Sequence, residues 1–83
     1  MTLRITTSTT PTLTVVRVDG RLRNAGVGEL ERACQRIKGP LCLDLSHLLL
    51  ADANGIKAIK RLTRKGARLA GVSSYIKLLL ERA

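Results

Sequence analysis

Three strand-length apolar segments, "TLTVVRVD", "LCLDLS" and "ARLAGV", are each separated from the next by one helix-length stretch. A connection of that length is too long for a hairpin. It fits a helical crossover, which makes successive strands parallel neighbours. One further strand, Leu3–Thr7, precedes them and reaches Thr12–Asp19 through a turn at Ser8–Pro11, an antiparallel arrangement. Gly20 is expected to end the second strand. The predicted order is β-β-α-β-α-β-α: an α/β domain with a mixed sheet of about four strands and packed helices, expected as a single domain over residues 1–83.

The helical stretches carry their own signals. In "NAGVGELERACQRIKGP", Asn24 is expected to cap. Val27, Leu30, Cys34 and Ile37 fall on one face, and Gly39-Pro40 stops the helix. The second helix is expected over Ala53–Lys65, capped by Asp52 and ended by Gly66. Ile56, Ile59, Leu62 and Thr63 point to one side of it. Lys57, Lys60, Arg61 and Arg64 fall on the other at i, i+3, i+4, i+7. The last helix lies in "SSYIKLLLERA", capped by Ser73 or Ser74. Ile76, Leu79 and Leu80 share its inner face and leave Tyr75 and Leu78 towards another side.

Composition bears on two points. With one Tyr and no Phe or Trp, the core must be aliphatic. The net charge of +9 is uneven: residues 53–80 hold seven Lys/Arg and no acid. A strongly charged partner for that half is therefore acidic. Cys34 and Cys42 read as buried free thiols, which suits a reducing compartment. No signal peptide or membrane-length apolar run occurs, so the expected location is the cytoplasm, with no membrane insertion.

The order and spacing of several short motifs resemble a family. Asp44-Leu45-Ser46 ends an apolar strand. An apolar link leads to Asp52-Ala53-Asn54-Gly55 at a helix start, and Gly66-Ala67-Arg68-Leu69-Ala70-Gly71-Val72 follows. Together with "LTVVRVDGRL" upstream, the pattern resembles the STAS domain, the module of sulfate transporters and anti-sigma factor antagonists. The resemblance covers nearly the whole chain. It implies that the residue before the turn glycine is the Ser or Thr acceptor in phosphorylation-regulated bacterial antagonists. Asn54 has no hydroxyl, so no phosphorylation is expected there. Fuller members continue after the third helix into another strand and helix. An edge at Ala67–Val72, or the Leu78–Leu80 helix, is accordingly expected to support a homodimer or tight partner pairing.

Other readings of the residues are weaker. Gly26-x-Gly28 sits where a phosphate loop belongs, but Glu31 occupies the third glycine's place, and glycines softening a helix start explain it more simply. His47 is the only histidine and has no partner in register, so neither catalysis nor a metal site is expected, and no cofactor. The expected role is a non-enzymatic protein–protein interaction module resembling an anti-sigma factor antagonist, in signalling or transcription regulation. Asp52, Ala53, Asn54, Gly55, Lys57, Lys60, Arg61 and Arg64 would dock an acidic partner such as an anti-sigma factor-like kinase. One alternative is the small STAS subunit that binds the ATPase of a lipid-transporting ABC system. A basic nucleic-acid-binding domain is another, disfavoured because Tyr75 alone is available to stack on bases.

Overall fold

The structure, a computed structural model, describes residues 3–83. Its elements are β1 (Leu3–Thr9), β2 (Thr14–Leu22), α1 (Asn24–Gln35), β3 (Leu41–Asp44), β4 (Leu48–Ala51), α2 (Ala53–Arg64), β5 (Arg68–Ala70) and α3 (Ser74–Arg82). The expected order holds, with one addition: the apolar link before α2 is itself the short strand β4.

The sheet runs β1-β2-β3-β5, with β1 antiparallel to β2 and the other pairs parallel. β4 also pairs with β2, further along the same side as β3. The first half of β2 (Thr14–Arg17) holds β3 and the second half (Gly20–Leu22) holds β4. The break between β3 and β4 has a local cause. Asp44 Oδ1 accepts from both the Ser46 amide (3.0 Å) and the Ser46 hydroxyl (2.6 Å), folding the chain into an Asx turn. Gly71 lies against this turn with φ +67°, and a Cβ there would come within 2.7 Å of the Ser46 Cβ.

Gly20 does not end β2, as the sequence reading had it. It takes φ +92° at a register shift, and the strand continues to Leu22. The shift is a bulge that redirects β2 from β3 to β4. β5 is shorter than the expected strand, and β1 is two residues longer.

Val16, Val18, Leu22, Leu43, Leu45 and Leu48 form one buried cluster with Leu30 and Cys34 of α1, Ile56, Ile59 and Leu62 of α2, and Ile76 of α3. All three helices therefore cover one face of the sheet. The other face, with Arg17, Asp19, Cys42, Asp44 and Arg68, stays partly or fully exposed. Cys34 is buried and its thiol pKa is raised, by burial and then by nearby Glu31. Cys42 is only half-buried, contrary to expectation, and both thiols are free. Tyr75 and Leu78 point outward as expected, and among the described residues Leu49 is the most exposed large apolar side chain at 71%. Among the described residues no helix is long and apolar enough to cross a membrane.

Candidate interaction site at two helix starts

The carboxyl ends of β2 and β4 lie side by side, since Leu22 pairs with Ala51. Each leads directly into a helix, so the starts of α1 and α2 converge there. In open α/β sheets this end of parallel strands is where ligands gather. Helix starts present unpaired amides and the positive end of the helix dipole.

One side chain satisfies both. Asp52 Oδ1 accepts from the Gly55 amide (2.8 Å), capping α2 as expected. Asp52 Oδ2 accepts from the Asn24 amide (2.9 Å), the first residue of α1. The sequence reading made Asn24 the cap of α1. Instead Arg23 occupies that position without a side-chain bond, and the carboxylate arrives from 28 residues downstream. These amides hold the Asp52 carboxyl below its usual range, the Gly55 N–H most and the Asn24 N–H next.

Asn54 is exposed, and its amide donates to Asn24 Oδ1 (3.1 Å). The two asparagines form a neutral clasp beside the carboxylate. Ala53 is exposed next to them. Gly55 is not: it is buried, and a Cβ there would stand 2.6 Å from the Leu22 carbonyl oxygen. That carbonyl also accepts from the Asp52 amide (3.0 Å). Gly55 thus lets the first turn of α2 sit on the end of β2 and presents no surface of its own.

The basic face of α2 is less uniform than its spacing implies. Lys57 and Arg64 are exposed. Arg61 pairs with Glu31 of α1 at 3.0 Å, so part of its charge is already met. Lys60 is half-buried and donates to the Ala83 carbonyl at 2.6 Å. Asn24 and Glu31 were not singled out as site residues from the sequence. Both act across about thirty residues of chain, and no local spacing marks them.

No protein-family model matches the chain, and no curated protein matches it in sequence. Among solved structures, the chain is similar to an antisigma-factor antagonist STAS domain from Rhodobacter sphaeroides. The TM-score is 0.67 at 21% identity, over 84% of this chain and 87% of that one. The chain has a STAS-like fold.

Proposed function

We propose that this protein is a non-enzymatic interaction module that docks an acidic protein partner at the start of α2, in the manner of an anti-sigma factor antagonist. One observation carries the reading. Exposed Ala53 and Asn54 are held on a turn fixed by Asp52, in line with exposed Lys57 and Arg64 on the same helix. A rigid neutral tip beside uncompensated positive charge suits electrostatic steering of an acidic surface. The likeness of fold to an antisigma-factor antagonist supports the class of function. With Asn54 at the turn, the site has no hydroxyl to phosphorylate and is open constitutively.

The test is capture of the partner from extract, followed by affinity measurement on the purified pair. Lys57→Glu/Arg64→Glu should keep its fold, with stability changed by less than ~1 kcal/mol, because both side chains are exposed. Binding should weaken at least tenfold, mainly through slower association, and wild-type binding should fall with salt. Glu31→Gln removes the negative charge that faces Arg61 and should modestly tighten binding. A folded double reversal that binds with unchanged affinity and salt dependence overturns the proposal.

A further inference from the structure

Among the described residues β1, β4 and β5 are each paired along one side alone, and they are built differently: β4 is only four residues long. β5 is three residues long, carries Arg68 and ends at the positive-φ Gly71. β1 is seven residues long, pairs with β2 in unbroken register, and contains no Pro, Lys or bulge. Short, charged or bulged strands are what discourage edge pairing, and β1 has only Arg4.

The direction of the free groups on β1 follows from the opposite side of β2. The Thr14 amide donates to Pro40 and the Gly20 amide to His47, so both face away from β1. Their partners across the β1–β2 pair, Thr9 and Leu3, must then face outward. By the alternation of a strand, the N–H and C=O groups of Leu3, Ile5, Thr7 and Thr9 all point to the open edge.

The geometry points to a second copy of this chain as the occupant, pairing β1 antiparallel to β1 about a two-fold axis at Thr6. That register sets Leu3 opposite Thr9, Ile5 opposite Thr7 and Arg4 opposite Ser8. Every outward-facing residue meets another outward-facing one, giving about eight main-chain hydrogen bonds. The one charged side chain of the strand meets a serine and not its own copy. Ile5, Thr6, Thr7 and Thr9 are β-branched and suit cross-strand pairing.

The charges on α1 fit the same axis. Ile5 and Thr7 floor a groove whose wall is Glu29, Arg32 and Ala33 of α1 and Arg36 at its C-cap. A Cβ on Gly26 would collide with the Leu3 side chain, so α1 starts over Leu3 and runs alongside β1 towards Thr7. At 1.5 Å per helical residue against ~3.3 Å per strand residue, Thr6 lies level with the middle of the Glu29–Arg36 interval. The two-fold axis therefore sets Glu29 of each copy opposite Arg36 of the other. Because α1 packs over β2, the two helices stand roughly 14 Å apart, three strand spacings, within reach of paired Glu and Arg side chains. The surface is separate from the partner-docking turn, so the dimer leaves that site free.

The test uses the whole protein. Sedimentation velocity across a concentration series should show a monomer–dimer equilibrium. Thr7→Pro removes one outward amide without touching a β1–β2 bond and should shift the protein to monomer. Glu29→Arg and Arg36→Glu, each placing two like-charge contacts in the dimer, should each raise its Kd roughly tenfold, and Glu29→Arg/Arg36→Glu should restore it. Thr6→Cys, at a close non-hydrogen-bonded pair on the axis, should form an intermolecular disulfide under mild oxidation in a Cys34→Ala/Cys42→Ala background. If Thr7→Pro unfolds by circular dichroism, the charge swap decides. A wild type that stays monomeric at high micromolar concentration, or a double swap no better than the single reversals, overturns the inference.

Discussion

Asp52 closes two helices with one carboxylate, and that makes it the most consequential single side chain of the site. Its two bonds differ in reach. The Gly55 bond is local and organises α2. The Asn24 bond ties α1 to α2 and so holds the two helix starts together. Asp52→Asn keeps one acceptor oxygen but offers an N–H to the amide that the other oxygen served. The α1 start should therefore loosen before α2 does, visible as faster amide exchange at Asn24. The charge also sets a pH dependence. The folded carboxyl lies below its ordinary value, so its stabilisation is complete above about pH 4, the unfolded carboxylate range, and is lost as pH falls through the folded pKa. Asp44, held low by the Ser46 hydroxyl and then the Ser46 amide, acts in the same direction. Thermal melting between pH 7 and pH 3 should show a wild-type melting temperature that drops on acidification. Asp52→Asn should start lower at neutral pH and fall less. Parallel curves for the two proteins would show that Asp52 contributes no such linkage.

Among the elements, α2 best shows what was legible in the sequence. Its cap, its limits and its buried stripe follow from Asp52, Gly66 and the spacing of Ile56, Ile59 and Leu62, because those signals are local in the chain. Its charged face was only half legible. The i, i+3, i+4, i+7 pattern shows which side chains share a side, but not that Glu31 of another helix neutralises Arg61. β4 escaped for a related reason. Four residues with three consecutive leucines have neither alternation nor helical period, and only pairing with the far end of β2 makes them a strand. The Asp-Leu-Ser and Asp-x-Asn-Gly motifs were visible as patterns. Their mechanical roles, a turn that breaks a strand and a carboxylate shared by two helices, depend on contacts outside the motifs. The packing of α2 on β2 makes Gly55→Ala informative. Alanine gains about 1 kcal/mol in helix propensity over glycine. Here its methyl would meet a main-chain oxygen at 2.6 Å, which no rotamer change relieves. Net destabilisation of roughly 1–3 kcal/mol is expected, measured by urea denaturation. A neutral or stabilised variant would mean that the α2 start shifts freely on β2.

At the scale of the whole molecule, the polarity of the two sheet faces governs what the fold can do. The helices cover one face, and the other carries half-buried Arg17, Asp19 and Asp44 and exposed Arg68. The Arg17–Asp19 pair at 2.8 Å partly neutralises that face. Positive charge accordingly concentrates on the exposed side of the helical layer, where the proposed docking turn lies. The sequence located this excess correctly in residues 53–80, since charge is additive along a chain wherever it folds. The two-layer arrangement itself was less accessible, because the number of helices does not say whether they share a face.

Among the described residues β2 is the only strand bonded to three others, β1 along one side and β3 and β4 in succession along the other. Every long-range pairing of the sheet except β3–β5 passes through it. No partial opening of the protein can therefore free β2 while leaving the rest intact. Its interior amides, at Val16 and Val18, should exchange with solvent deuterium only when the entire molecule unfolds, and at the free energy of that event. The β5 amides, bonded on one side alone, should exchange through local opening orders of magnitude sooner. Equal rates at the two strands would mean that the sheet opens as one unit. The predicted difference instead makes β2 the last part of the chain to be surrendered, and a probe of global stability that needs no denaturant.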